Sequence, residues 1–164
     1  MQGLPSLAVV VVGLPLSYKK QDDKDDNRDY KPLANLLVVD DDLDIARVLK
    51  QGLLKNRFLV SAFTRPEEAL QNFQSNSKDY CLVLSDIRMP GLSGIQLARK
   101  VKEINPSVKV ILMTSFEIRD NEFSKVFPST HVDGFAQKPI GIKELTSKIL
   151  DIIGESKRRI YEQQ

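Results

Sequence analysis

The chain has one cysteine, Cys81, and one histidine, His131, in 164 residues. A single cysteine excludes a disulfide framework and a cysteine-based metal site within the chain. Cys81 opens an apolar run and reads as a small core residue. A single histidine, in the loop-like stretch from Pro128 to Gly134, leaves no Ser/His/Asp triad and no multi-histidine zinc site to argue for. An excess of one charge is also lacking. Lys and Arg total 24 against 22 Asp and Glu, a net +2, which is too weak a field to favour nucleic acid or an anionic membrane. Direct nucleic-acid binding is therefore not expected. The apolar stretch Leu7 to Leu16 falls far short of the ~20 residues that span a bilayer. No Lys or Arg precedes it and no small-residue cleavage pattern follows, so it does not read as a signal peptide. A cytoplasmic protein without a membrane span is expected.

The content is that of a soluble globular domain, 41% hydrophobic and 28% charged. Residues 1–31 stand apart. They join the apolar decamer to the mixed-charge run Lys19 to Tyr30, and read as a disordered or loosely packed extension. The decamer is open to three readings: an added strand, a disordered segment or an unused upstream start. From Leu36 the pattern is regular. Short apolar runs at Leu36–Val39, Phe58–Phe63, Tyr80–Ser85, Val108–Met113 and Val132–Ala136 predict strands. Ile45, Val48, Leu49, Gly52 and Leu53 predict a helix after the first run. Thr64 and Glu67 read as a capping box, with Pro66 in the first turn of a helix to about Phe73. Ile95, Leu97, Ala98, Val101 and Ile104 give another helix, stopped by Pro106. A short helix is expected over 117–127, ended by Pro128. Ile142, Leu145, Ile149, Ile152 and Ile153 mark the last. Five strands alternating with helices through short connections predict an α/β fold. It has a five-stranded parallel sheet with helices on both faces, and the flavodoxin-like order 2-1-3-4-5 is allowed. The domain is expected over 34–154, with a basic tail over 155–164.

Four polar features fall at the carboxyl ends of separate strands: Asp40 and Asp41, Asp86, Thr114, and Lys138. In an open α/β sheet that edge is where ligands bind. Each feature alone has a plain explanation. Asp86 precedes Met89-Pro90-Gly91 and suits a turn, while Asp40-Asp41-Asp42 suits a helix start. Together they form a chemical kit. Crowded carboxylates call for a hard cation with oxygen ligands, most plausibly Mg²⁺. Lys138 supplies a counter-charge for an added anion and Thr114 a hydroxyl donor. A carboxylate nucleophile that forms an aspartyl-phosphate fits this set.

The stretches Leu36-Leu-Val-Val-Asp-Asp-Asp42, Asp86-Ile-Arg-Met-Pro-Gly-Leu-Ser-Gly94, Met113-Thr114-Ser115 and Gln137-Lys138-Pro139 closely resemble receiver domains of two-component response regulators, over about residues 34–154. The resemblance implies that Asp86 is the phosphoacceptor. It implies that Asp41, Asp86 and the backbone carbonyl of Arg88 ligate Mg²⁺, with Asp40 acting mainly through water. Lys138 would pair with the phosphoryl group, with a cis bond to Pro139. Thr114 and Phe135 would be switch residues, Thr114 moving toward the phosphoryl oxygen and Phe135 rotating inward. The sequence departs from the family over Asn121–Gly134, where the expected helix is short or irregular. Arg88 and Phe116 occupy positions that tend to tune dephosphorylation.

The expected function is that of a stand-alone response regulator in a phosphorelay. It would be phosphorylated by a sensor histidine kinase or a histidine phosphotransfer protein, and it would signal to an unknown downstream protein by contact. It would catalyse only its own phosphorylation and dephosphorylation. The stretch after Ile153 is too short for a helix-turn-helix module. Two other classes share parts of this residue set. One is a haloacid-dehalogenase-like phosphatase using Asp-x-Asp at Asp40 and Asp42, against which stand Asp44 and the lack of a cap-sized insertion. The other is a receiver-like binding domain that is never phosphorylated.

Overall fold

The structure, a computed structural model, describes residues 31–115 and 132–162, with the side chains of the last helix described through Gly154. Five short segments form strands, β1, β3 and β4 rich in Leu, Val and Ile: β1 (Asn35–Val39), β2 (Leu59–Phe63), β3 (Leu82–Asp86), β4 (Lys109–Thr114) and β5 (Gly134–Gln137). Among the described residues four helices accompany them: α1 (Leu43–Lys55), α2 (Pro66–Asn76), α3 (Gly94–Ile104) and α4 (Ile142–Glu162). All strand pairs are parallel, in the order β2-β1-β3-β4-β5. β3 lies in the middle and is buried at all five positions. A strand covered on both faces takes apolar residues on both, which is why Leu82-Val-Leu84 shows no alternation; Ser85 and Asp86 follow at its carboxyl end.

Successive side chains of each strand feed opposite faces of the sheet. Leu36 and Val38, Leu82 and Leu84, and Ile111 and Met113 meet Leu49 and Leu53 of α1 and Leu145 and Ile149 of α4. Leu37 and Val39, Val83, and Val110 and Leu112 meet Ala69 and Phe73 of α2 and Leu97, Ala98 and Val101 of α3. Burying each such side chain contributes roughly 1.5–3 kcal/mol. A one-residue slip would exchange the two faces, so the register that packs the core also fixes which residues stand at the strand ends. Phe73 stacks on Tyr80 at 5.9 Å between ring centroids, and the Tyr80 hydroxyl donates to Asn72 at 2.6 Å.

The five-stranded parallel sheet, its order and the helices on both faces agree with the sequence reading. Several local expectations do not. Cys81 is exposed rather than in the core. It precedes β3, where its amide donates to the Asn35 carbonyl and its carbonyl accepts from Lys109, and its side chain is left at the sheet's amino edge. Thr64 and Glu67 form no capping box. The N-cap of α2 is Arg65, without a side-chain cap bond, and Pro66 takes the first helical position. Ile45 and Val48 are 36% and 60% exposed, because α1 turns Ala46, Leu49 and Leu53 inward instead. The N-terminal extension up to Tyr30, the helix expected over 117–127, Phe116 and His131 lie outside the described residues.

Candidate functional site

Parallel strands share one carboxyl edge, and this edge collects the polar residues. Asp40 directly follows β1, its amide donating to the Phe63 carbonyl at 3.1 Å, and only 1% of the residue is exposed. Asp41 comes next and is exposed. Asp42 turns to a different task. It caps α1, accepting from the amides of Asp44 and Ile45 at 2.9 and 3.1 Å. The run of three acids is thus divided: the third starts the helix and the first two remain for the site. Asp86 ends β3 and Thr114 ends β4, both buried. Lys138 follows β5, its amide donating to the Thr114 carbonyl at 2.7 Å. The Lys138–Pro139 peptide bond is cis.

The Lys138 ammonium bridges two carboxylates, 2.6 Å from Asp40 Oδ2 and 3.0 Å from Asp86 Oδ1. Asp40 Oδ1 accepts from the Asp42 amide at 3.0 Å, so both oxygens of Asp40 are held. Oxygens of Asp40, Asp41 and Asp86 lie within 4.8 Å of one another. Burial pushes the Asp86 carboxyl above its ordinary value. The hydrogen bond and charge of Lys138 oppose that, and the charges of Asp40 and Asp41 add to it. Burial alone would lower Lys138, but the hydrogen bonds and charges of Asp40 and Asp86 outweigh it and raise its pKa. Three carboxylates against one ammonium leave the site net negative. Its donors are all oxygen, two of them on buried residues, which is the chemistry a hard divalent cation takes. The cluster therefore fits Mg²⁺ held by Asp40, Asp41 and Asp86.

The remaining expected residues are less tightly gathered. Arg88 is exposed in the connection after β3, on the same edge. Phe135 lies in β5, partly buried against the core on the α2 and α3 face. Three further residues make contacts around Asp86 and the connection after it that the sequence pattern does not reveal. Ser85 reads as one more strand position, yet its buried hydroxyl donates to the Asp86 carbonyl at 2.9 Å. Gly94 opens α3 so close to β3 that a Cβ there would overlap the Asp86 carbonyl oxygen. Glu67, far away in sequence, accepts from the Leu92 amide at 3.2 Å. Beside Lys138 lies an apolar groove of about 580 Å³, lined by Ile45, Val48, Pro139, Ile140 and Ile142 among others. The exposed face of α1 forms one wall of it.

A parallel sheet of this order with clustered acids and a lysine at its carboxyl edge defines a receiver-type signalling module. The response regulator receiver domain model matches residues 36–150, and the chain belongs to that family, a component of two-component systems. Among its relatives is the response regulator receiver protein CpdR of Brucella abortus (strain 2308), 34% identical over 84 residues, which are 51% of this chain and 68% of CpdR. The chain spans only 17% of the length of transcriptional regulators matched at 38% identity. Similar solved structures include a response regulator receiver domain protein from Clostridium thermocellum, with TM-score 0.69 and 28% identity, covering 76% of this chain and 98% of that one. Another is the response regulator TrrA of Thermotoga maritima in complex with Mg²⁺ and BeF, with TM-score 0.63 and 30% identity, covering 73% and 99%. Among the described residues no helix is long and apolar enough to cross a membrane.

Proposed function

We propose that this chain is a cytoplasmic phosphoacceptor of a two-component phosphorelay, modified on Asp86. The observation that carries the reading is the cluster of Asp40, Asp41 and Asp86 around the Lys138 ammonium at one sheet edge. An oxygen of ionised Asp86 attacks the phosphorus of a phosphohistidine on a sensor kinase or phosphotransfer protein. A P–O bond forms, the P–N bond breaks and the imidazole leaves. Bound Mg²⁺ would neutralise charge on the phosphoryl oxygens; Asp40, Asp41, Asp86 and the Arg88 carbonyl are the groups to hold it. Mg²⁺ in the TrrA complex supports that choice. Lys138 is tethered to Asp40 and Asp86 and is placed to exchange its bond with Asp86 for one to the new phosphoryl group. The hydroxyl of Thr114 donates to the same group and, with Phe135, carries the change outward. The dianion biases a pre-existing two-state element. The phosphohistidine protein docks on the groove of Ile45, Val48, Pro139 and Ile140, which is apolar, exposed and adjacent to Lys138.

The test is incubation with Mg²⁺ and acetyl phosphate. A mass gain of one phosphoryl group, lost in Asp86→Asn and with chelator, is expected. Turnover of phosphate esters that depends on Asp40 would establish a phosphatase instead. Intact Mg²⁺ binding without labelling by acetyl phosphate or any kinase would mark a binding domain that is not phosphorylated.

A further inference from the structure

The segment between Asp86 and α3 carries Arg88 and must hold its shape for the acidic cluster to act as a unit. Its two ends are fastened by main-chain and capping bonds. The Ile87 amide donates to Met113 at 3.0 Å and the Gly94 amide to Ile87 at 2.9 Å. Ser93 and Gln96 form a reciprocal capping box at the start of α3. Between these ends a carboxylate enters from another element. Glu67, in the first turn of α2, accepts from the Leu92 amide. Its Oε1 also occupies the space where a side chain on residue 91 would begin. Gly91 has φ +79°, a conformation that glycine adopts at little cost. The absence of a Cβ at Gly91 therefore serves two purposes: it permits the turn and it admits the carboxylate.

From this geometry we infer that Glu67 is a positioning residue for the metal and phosphoryl site. It latches the 87–93 connection to α2 and so fixes the backbone that follows Asp86, including the carbonyl of Arg88. The inference rests on the proposed role of that connection in binding Mg²⁺. Glu67 touches neither the cation nor the phosphoryl group. Its action is through one charge-assisted hydrogen bond to a main-chain amide, of the kind by which outer groups orient metal ligands.

The experiment uses the full chain and the variants Glu67→Ala and Glu67→Gln. Mg²⁺ affinity is read by calorimetry, and exchange of the Leu92 amide by NMR on metal-free protein. In Glu67→Ala, Leu92 exchange accelerates and Mg²⁺ affinity falls about tenfold, the lower end of what outer-shell partners contribute. Glu67→Gln keeps an acceptor oxygen without the charge and restores most of both. If Glu67→Ala matches wild type in Leu92 exchange and Mg²⁺ affinity, the latch is overturned. It is equally overturned if Glu67→Gln is as weak as Glu67→Ala, because the effect is then remote charge alone. Failure of the site reading looks different: wild-type protein then binds no Mg²⁺, which removes this role from Glu67, while Leu92 exchange still reports whether the bond forms.

Discussion

Lys138 and Asp86 have opposite consequences for the pH dependence of stability. Lys138 is raised above 10.5 in the fold, so its contribution is fully present below about pH 10.5 and is lost as pH rises through the folded value. Asp86 is also raised, above 3.8, and for an acid this reverses the sign. Ionised Asp86 costs stability at neutral pH, and the cost is relieved as pH falls through its folded value. Lys138→Ala removes the ammonium and leaves Asp40, Asp41 and Asp86 facing one another. It is expected to lose about 3 kcal/mol at pH 7, the scale for breaking a buried pair, with a smaller loss in acid once pH falls through the raised Asp86 value. Urea unfolding at pH 7 and in acid checks this. Asp86→Asn removes one charge from the same crowd and should gain about 1 kcal/mol at pH 7 while abolishing labelling, as function-bearing strain predicts.

At the level of elements, the contact between β3 and α3 is the tightest constraint on the site. A methyl group at Gly94 meets the Asp86 carbonyl, which is backbone and has little room to yield. Gly94→Ala should therefore cost about 3 kcal/mol, as overpacking does, and should slow labelling with it. Denaturant midpoints and acetyl phosphate labelling read the two effects. The elements themselves were legible in the sequence wherever a run of apolar residues had only one way to be buried. Leu36–Val39 and Leu82–Leu84 announce covered parallel strands, and their ends place Asp40 and Asp86. The misreadings came where packing overrides local pattern. Ile45 and Val48 keep helical spacing, but α1 is rotated to bury Ala46, Leu49 and Leu53. Thr64 and Glu67 have capping-box spacing, but Glu67 is taken up by Leu92, 25 positions away. Cys81 belongs to an apolar run whose strand starts one residue later. Ser85 and Gly94 matter through contacts to the Asp86 carbonyl, and no local pattern encodes a partner that folding alone brings near.

For the whole molecule, one sheet edge carries a charged site and an apolar groove lies beside it; under the proposed function that groove is where the phosphohistidine protein docks. The core on both faces holds the strand ends in register and so brings Asp40, Asp86 and Lys138 to one edge. Binding of a cation to the folded cluster should couple to global stability. At a Mg²⁺ concentration 100 times its Kd the gain is about 2.7 kcal/mol, visible as a rise in Tm that a chelator reverses. The central claim is that Asp86, and not its acidic neighbours, is the nucleophile. Its most direct test is to phosphorylate the protein with acetyl phosphate and Mg²⁺, reduce the acyl phosphate with borohydride, and locate the resulting homoserine by peptide mass spectrometry. Homoserine at position 86 alone is the predicted result; homoserine at Asp40 or Asp41, with Asp86 intact, would contradict it.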